Sequence, residues 1–497
     1  MLCSTKANWS SLDSRPLPIW YDQAKFGVQA HWGVYSVPAY GDESFWFNWK
    51  ELNDSNLANF VQTHYKPGTT YGDFAKEFNA LDFDANYFAG LIKGSGAKYF
   101  ILTAKHSDGF ALWPSAVEWN WDSMDVGPAK DLLDTVVTND RWGSDTSCAH
   151  GGFYTCQSQP TTLPTHKWEN VVSADKSSRG YRRTMKLDDV YSSDELIAQL
   201  AQTISLGGNF VLNIAIDANG RVLPVFEERL KNLGDFVTDH SDAIFSSKPW
   251  IYQSDVDSVV YTSQLKNPNN LDPYRLYNPQ QQNNTVIYAF VTNWPDDNLV
   301  NLTRVVPTSQ TTVNLLHGGP GTYSSVPFSQ TSTGILVDIS NVSLSNFPSS
   351  NYVTFDTFVL KIENAADQCP VNWIQNSINQ QECLAFGNST LGWNAANSQC
   401  GTLGPGATLT SITSVFENSV IQDLNQGCSN AYIGLYRNSS SSNWQWINGD
   451  TSTYTNWGPG YPTNDPNSNC VVINENGGKW ANQNCATLSC FICKLKN

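Results

Sequence analysis

The sequence predicts a multidomain protein with a (β/α) barrel or an open α/β sheet, an antiparallel β-sandwich and a smaller cysteine-rich domain. Three observations support this. Strand-like and helix-like segments alternate up to residue 248, only short strand-like runs follow up to residue 365, and eight of the 11 cysteines lie between Cys369 and Cys493. A chain of 497 residues is long enough for about three domains of ~150 residues. We place the domains at residues 10–248, 249–365 and 366–497.

The strands of the first domain are apolar runs, several of which end in histidine or small polar residues. They are KFGVQAHWG from Lys25, AKYFILTAKH from Ala97, HKWENVVSA from His166 and GGNFVLNIAI from Gly207. Helical spacing appears in LDFDANYFAGLIKGSG, in VFEERLKNLGDFVTDHSDAIF and in SSDELIAQLAQTISLGG, where Ser192 and Glu195 form a capping-box pattern. We count about five or six parallel strands, whereas a closed barrel has eight.

The shortfall falls at the stretch VGPAKDLLDTVVTNDRWG, Val126–Gly143. Pro128 predicts the first turn of a helix, and TVVTNDRWG predicts a buried strand with a charged tip. A connection between parallel strands normally takes a dozen or more residues. Here a helix and the next strand are almost contiguous, so too few residues remain for such a connection.

Composition excludes two classes of function. The net charge of −16 argues against a nucleic-acid partner, which needs clustered Lys and Arg. No apolar run approaches the ~20 residues of a membrane span. The cysteines favour an oxidising compartment, and N-glycosylation sequons at Asn8, Asn53, Asn283, Asn301, Asn341, Asn388 and Asn438 agree with it. We expect a secreted or lysosomal protein, although MLCSTKANWSS contains no apolar core of a signal peptide.

The second domain reads as an antiparallel sandwich. VVYTS, VIYAFVTNW, TTVNLL, GILVDIS and TFVLKI are short strand-like runs separated by Asn, Pro, Gly and Ser, and no helical period interrupts them.

Candidate binding residues follow the strands of the first domain. His31 ends one strand, Glu43 lies near Trp46, His106 ends another strand, Arg141 follows a third and Glu169 lies in a fourth. The carboxyl ends of barrel strands build the active site, and these residue types bind sugars, because imidazole, carboxylate and guanidinium groups hydrogen-bond hydroxyls while aromatic faces cover the ring. A single such residue is more often structural, but several at successive strands favour a site.

The chain resembles the α-L-fucosidases of glycoside hydrolase family 29, which are built on a TIM barrel followed by a β-sandwich. The resemblance rests on SLDSRPLPIWYDQAKFGVQAHWGVYSVPAYG, AKYFILTAKHSDGFALWPS, WNWDSMDVGPAKDLL, VVTNDRWG, CAHGGFYTC, LPTHKWENVVSADKSSRGYRR and SLGGNFVLNIA. It implies release of terminal α-L-fucose with retention, which needs two carboxyls about 5–5.5 Å apart. It also implies an acid/base role for Glu169, a disulfide between Cys148 and Cys156, and no cofactor.

By the same resemblance, His31, Glu43, His106 and Arg141 bind the sugar, with Trp46 as an aromatic neighbour. Two departures weaken single contacts: the family's Glu-Trp is Glu43-Ser44 here, and its His-His is His106-Ser107. A third removes the nucleophile, since no Trp-x-Asp-Gly strand tip occurs between residues 10 and 248. The resemblance therefore implies a (β/α)8-type barrel from which about two βα units are deleted at Val126–Gly143.

Two functions therefore stay open. One is fucosidase activity on fucosylated glycans or glycoproteins, with homo-oligomerisation possible. The other is an inactive glycan-binding protein. The hypothesis that follows from the missing Asp is that this chain cannot perform double displacement.

The cysteine-rich end resembles a C-type lectin-like domain from Cys369 to Lys494. The resemblance implies the pairs Cys369–Cys383, Cys400–Cys493 and Cys470–Cys485, which leaves Cys428 for Cys490. Sugar binding in that family usually goes through Ca²⁺, but Glu-Pro-Asn is Tyr461-Pro462-Thr463 here and Trp-Asn-Asp is Trp480-Ala481-Asn482. Most oxygen ligands are lost, so we expect no tight Ca²⁺ and a recognition or spacer role.

Cys148, His150, Cys156 and His166 match no common zinc spacing, and no metal is predicted.

Overall fold

The computed structural model describes most of the chain. It covers residues 17–132, 153–342 and 356–496, apart from short stretches at 157–159, 161–163, 165, 269–272, 274–277, 279–282, 318–320, 367–368, 370–371, 380–381, 404–405, 426, 439–442 and 475–476. Arg141 and Cys148 lie outside the described residues, as do the predicted strand TVVTNDRWG and the predicted disulfide of Cys148 with Cys156.

The first domain is built on a five-stranded parallel sheet with the order β2-β1-β5-β4-β3. The strands are β1 (Phe26–His31), β2 (Tyr99–Thr103), β3 (Tyr154–Cys156), β4 (Trp168–Ser173) and β5 (Asn209–Ala215). The helices are α1 (Ile19–Ala24), α2 (Phe45–Lys50), α3 (Ser55–His64), α4 (Tyr71–Glu77), α5 (Ala85–Gly94), α6 (Ser193–Ser205), α7 (Pro224–Asp239) and α8 (Ser241–Ile244). Strands β1 and β5 are buried along their whole length, as expected at the centre of a helix-covered sheet.

Local sequence explains the helix boundaries. The Ser192 hydroxyl accepts the Glu195 N–H and the Glu195 carboxylate accepts the Ser192 N–H, which confirms the predicted capping box of α6. The Asp84 side chain caps the start of α5 by accepting two backbone N–H groups. The helix predicted from Pro128 is absent from residues 128–132, which are irregular, so this prediction is wrong for that part.

The sheet is a half-barrel in the described part of the chain. Strand β2 pairs with β1 on one side, and β3 pairs with β4 over three residues. Beyond Asn170, β4 has a strand partner on its β5 side and none on the other side among the described residues. The predicted alternation of strands and helices is confirmed, and the described sheet is open.

The second domain is a sandwich of two antiparallel sheets. One has the order β11-β10-β14-β8-β7-β6 and the other β12-β13-β9. The strands are β6 (Lys248–Ser254), β7 (Val259–Leu265), β8 (Thr285–Val291), β9 (Leu299–Leu302), β10 (Thr312–Leu316), β11 (Tyr323–Ser325), β12 (Phe328–Gln330), β13 (Ile335–Asp338) and β14 (Phe358–Glu363). Both sheets contribute to one apolar core, for example through Tyr261, Leu302, Val337 and Leu360.

The half-barrel packs on the larger sheet of the sandwich. Val260, Tyr288 and Phe290 of that sheet belong to the same apolar cluster as β1 and β5. Asp22 joins the two domains electrostatically, since its carboxylate lies 2.5 Å from the Lys248 Nζ and 3.0 Å from the Lys167 Nζ. Burial opposes ionisation of Asp22, but the surrounding lysines dominate and hold its pKa far below the usual range.

The third domain is an α+β module. Its sheet has the order β15-β16-β22-β18-β20-β21, with β17 beside β22 and β19 beside β18. The elements are β15 (Ile374–Gln375), β16 (Glu382–Leu391), α9 (Trp393–Leu403), β17 (Thr408–Leu409), α10 (Val415–Leu424), β18 (Asn430–Arg437), β19 (Trp444–Trp446), β20 (Cys470–Asn474), β21 (Trp480–Gln483) and β22 (Ser489–Lys496). All four predicted disulfides are confirmed: Cys369–Cys383, Cys400–Cys493, Cys428–Cys490 and Cys470–Cys485. No helix in the described ranges is long and apolar enough to cross a membrane.

Candidate active site

Three predicted site residues meet where the parallel strands end, which we call the carboxyl edge. His31 is the last residue of β1 and is level with Thr103 of β2 and Ala215 of β5. His106 follows β2 by three residues, and Glu43 lies in the segment before α2. One donor atom from each of the three side chains can be chosen so that all lie within 4.8 Å of one another.

His31 is fixed by the neighbouring strand. Its side chain is buried, and its Nδ1 lies 2.5 Å from the Oδ1 of Asn213 on β5. The His106 ring packs edge-on against it, with ring centroids 5.8 Å apart. Burial lowers the pKa of His31 well below its ordinary value, although the Glu43 carboxylate opposes this, so we treat the imidazole as neutral.

Glu43 is held by a loop after β4. Its Oε2 accepts the N–H groups of Arg179 at 3.0 Å and Gly180 at 3.2 Å, and the Ser178 hydroxyl at 3.3 Å. Burial alone would raise the pKa of this carboxyl, but the backbone N–H groups that donate to it hold its pKa below the usual value. The loop packs closely on Glu43, since a Cβ at position 180 would lie 3.0 Å from the Glu43 Cβ, which favours glycine there.

A polar cavity adjoins this cluster. Its volume is about 330 Å³, and Asp42, Glu43, Ser173 and Arg179 are among its lining residues. Asp175 on the same wall is paired with Arg182 at 2.6 Å, whereas Arg179 has no ion pair among the described residues. Imidazoles, a fixed carboxylate and a guanidinium are groups that bind the hydroxyls of a sugar.

Trp46 and Arg141 contribute less to this picture. Trp46 lies in α2, is half-buried and packs against the apolar core of the half-barrel. Arg141 is outside the described residues.

Glu169 is not brought to this site. It is level with Asn209, the first residue of β5, whereas His31 is level with Ala215 at the other end of that strand. Six residues of strand separate these levels by about 20 Å. The side chain is 1% exposed, and its Oε2 accepts the hydroxyls of Tyr21 at 2.8 Å and Tyr99 at 3.1 Å. The expectation that Glu169 acts at the carboxyl edge therefore has no support in its position.

Sequence reasoning missed Asn213 and Arg179. Asn213 is a fully buried amide with apolar residues on both sides of it in β5, and that contrast indicates a specific partner. Arg179 had no comparable sign, because its contact with Glu43 joins positions 136 residues apart.

In the third domain, the side chain at the position expected to bind Ca²⁺ makes hydrogen bonds within the protein. The Asn482 Oδ1 accepts the Thr463 N–H at 2.7 Å, and its Nδ2 donates to the carbonyls of Thr463 at 3.1 Å and Ser468 at 2.8 Å. These contacts hold the Asn482 amide against the neighbouring backbone, and the absence of tight Ca²⁺ binding stays a prediction. Calorimetric titration of the full chain with CaCl₂ tests it, and micromolar binding would contradict it.

The family models that match the chain are those of a glycoside hydrolase and a lectin domain. The family model described as Alpha-L-fucosidase matches residues 3–137 and 133–242, and the Alpha-L-fucosidase C-terminal domain model matches residues 268–363. The Lectin C-type domain model matches residues 389–495. The chain belongs to the α-L-fucosidase family and has a C-type lectin domain.

Relatives and solved structures agree. Tissue alpha-L-fucosidase of Rattus norvegicus is 36% identical over 402 residues, which covers 62% of this chain and 83% of the relative. The Homo sapiens tissue enzyme is 35% identical over 404 residues, 62% of this chain and 83% of the human chain. A crystal structure of Thermotoga maritima alpha-fucosidase in complex with fucose matches the fold with a TM-score of 0.55 and 22% identity, covering 72% of this chain and 100% of that chain.

The lengths of these matches are informative. The rat alignment has 402 positions, but 62% of 497 residues is only about 308 residues. About 94 positions of that alignment, the difference between 402 and 308, therefore have no residue of this chain. The two segments matched by the fucosidase model overlap at residues 133–137, which is where the deletion is predicted.

Proposed function

We propose that this chain recognises terminal α-L-fucose on glycans or glycoproteins through the carboxyl edge of its half-barrel, and that it lacks the nucleophile for retaining hydrolysis. The main supporting observation is the group of His31, Glu43 and His106, whose polar atoms converge beside a polar cavity within a fucosidase-like sheet. Each side chain is held by a second protein group, so the sugar would meet a preformed site.

Three observations support the loss of the nucleophile. The described half-barrel has five strands where a closed barrel has eight, about 94 alignment positions have no residue in this chain, and no Trp-x-Asp-Gly tip occurs in the first domain. Retention needs two facing carboxyls. Of the two glutamates predicted for the site, Glu43 has its Oε2 bound to three donors at the carboxyl edge and Glu169 lies at the opposite edge, so the two do not face each other.

The experiment separates binding from hydrolysis. Titration calorimetry of the full chain with L-fucose is expected to give one site, and Glu43→Gln is expected to weaken it about tenfold or more, because a charged hydrogen bond contributes about 1.5–3 kcal/mol. The exposed Glu51→Gln is the matched control. D-mannose serves as the unrelated sugar.

Hydrolysis is tested on the same preparation. We expect no turnover of an aryl α-L-fucoside and no covalent fucosyl adduct in the intact mass after treatment with a 2-fluoro-fucosyl fluoride. Ordinary fucosidase turnover or an adduct would overturn the loss of the nucleophile, whereas absence of fucose binding would overturn the recognition role. Genomic sequence between the codons for Leu133 and Val136 gives an independent test, since an exon encoding a Trp-x-Asp strand there would restore the enzyme.

Location and the role of the lectin domain belong to the same proposal. The disulfides and the tissue and plasma fucosidases among the relatives support a secreted or lysosomal site of action. The lectin domain would then act as a Ca²⁺-independent recognition or spacer module.

A further inference from the structure

The side chains proposed to bind the sugar at the carboxyl edge are also a set of potential metal ligands. Among the described residues, His31, Glu43 and His106 form a group of three potential metal ligands, with donor atoms within 4.8 Å. The three side chains come from the end of β1, the segment before α2 and the segment after β2. Two imidazoles and one carboxylate are the ligand set of many zinc centres that keep an open coordination position.

The tautomer of His31 is determined by its surroundings. The Asn213 Nδ2 donates to the Ser173 hydroxyl at 3.1 Å and to the Arg179 carbonyl at 3.0 Å, so the amide oxygen must face His31. An amide oxygen only accepts, hence the His31 Nδ1 carries the proton. The lone pair is then on Nε2, which is the form in which an imidazole binds a metal.

The other two donors are oriented as well. The Glu43 Oε2 is occupied by three N–H and O–H donors, which leaves Oε1 for a further ligand. The His106 Nδ1 lies 3.2 Å from the Ser107 hydroxyl, which leaves Nε2. Outer contacts of this kind orient ligands in metal sites and increase metal affinity.

We propose that His31, Glu43 and His106 bind a Zn²⁺ ion, with His31 and His106 donating through Nε2 and Glu43 through Oε1. Ligand atoms bound tetrahedrally at ~2.0–2.1 Å from zinc lie about 3.3 Å apart, so side-chain movements of about 1 Å close the group. The site shares its residues with the proposed fucose site, so the ion and the sugar compete. The proposal does not depend on fucose recognition, because the donors and their partners are protein groups.

Metal binding is tested with the full chain after EDTA treatment and dialysis. Titration calorimetry with ZnCl₂ is expected to give a site with a 1:1 stoichiometry, and CoCl₂ is expected to give the visible absorption of tetrahedral Co²⁺. Glu43→Gln and His106→Gln should each weaken zinc binding at least tenfold and remove the cobalt spectrum. His64→Gln, an exposed histidine of α3, should leave both unchanged.

Two results would overturn the proposal: no zinc site in the native chain, or a zinc site that survives both substitutions. Circular dichroism and thermal unfolding establish that each variant is folded. L-fucose binding is measured separately in EDTA. Fucose binding without zinc binding rejects the metal site alone, and zinc binding without fucose binding rejects only the proposed function.

Discussion

At the scale of single residues, the position of a carboxylate along its strand decides what it can do. Glu169 and Glu43 have the same side chain, but Glu169 lies at the amino end of β4 among tyrosines, and Glu43 lies at the carboxyl edge against histidines. Sequence spacing predicted both as site residues, because a motif does not state which end of a strand reaches the ligand. The register of β4 with β5 does show the end, because Glu169 is level with Asn209, the first residue of β5.

Substitution of Glu169 tests its structural role. Glu169→Gln keeps an oxygen acceptor for the Tyr21 and Tyr99 hydroxyls, so fucose affinity is expected to stay within about twofold of the native value. Glu169→Leu leaves these two buried hydroxyls without that acceptor and should lower the free energy of unfolding by about 2–4 kcal/mol. Calorimetry and urea unfolding measure the two effects. Loss of fucose binding in the folded Gln variant would place Glu169 in the site after all.

Ionisation of Asp239 makes the stability of the half-barrel depend on pH. It ends α7, where the helix dipole disfavours negative charge, and burial together with Asp235 raises its pKa to about 6. Because the folded-state pKa lies above the ordinary ~3.9, the native state binds the proton more tightly, and stability falls as the pH rises from about 4 to about 6.

Asp239→Asn should therefore stabilise the half-barrel at pH 7.5 and have little effect at pH 4. The side chain is half-buried and in contact with solvent, so we expect only about 1 kcal/mol after solvent screening. Urea unfolding at the two pH values measures it. Asp188→Asn, on an exposed turn, is the control, and an equal gain at both pH values would contradict the explanation.

The sequence predicted only part of the candidate site, and there is a physical reason for this. His31, Glu43 and His106 could be found because polar residues follow apolar strands. Asn213 and Arg179 act through contacts with residues 182 and 136 positions away, and no local pattern encodes such a pairing.

At the scale of elements, helices with strong end signals were predictable and connections were not. The capping box of α6 acts within four residues, so it is visible in sequence and in structure alike. Pro128 permits the first turn of a helix but supplies no packing partner, and residues 128–132 are irregular. Propensity alone rarely stabilises a helix without a buried face.

Helices α5 and α7 provide an element-scale prediction. Gly234 in α7 faces the backbone of α5, and a Cβ there would collide with the carbonyl oxygen of Gly94. Gly234→Ala should therefore force the two helices apart and lower the free energy of unfolding by about 1–3 kcal/mol.

Gly90 is the matched control for this substitution. It lies within α5 with no atom near the position of a Cβ, so Gly90→Ala should stabilise the helix by about 0.5–1 kcal/mol. Urea unfolding followed by circular dichroism measures both variants. Equal effects of the two substitutions would show that helix propensity, and not the close approach of α5 and α7, determines the result.

At the scale of the whole molecule, the three domains are stabilised by different means. The half-barrel and the sandwich share apolar surface and the Asp22 ion pairs, so they should unfold together. The lectin domain has its own two apolar clusters and its four disulfides. Thermal unfolding of the intact chain should therefore give two transitions, with the lectin domain at the higher temperature.

The length of the loop that a disulfide closes predicts how strongly that bond stabilises the lectin domain. Cys400–Cys493 closes a loop of 93 residues and Cys369–Cys383 one of 14. A cross-link restricts the unfolded chain more when the loop is longer, about 4–5 kcal/mol for the first bond and about 3 kcal/mol for the second. Replacing Cys400 and Cys493 by Ala should thus lower the upper transition more than replacing Cys369 and Cys383. In each scan the lower transition is the internal control, because neither bond lies in the half-barrel or the sandwich. If the lower transition moves with the upper one, the domains unfold as one unit and the independence of the lectin domain is wrong.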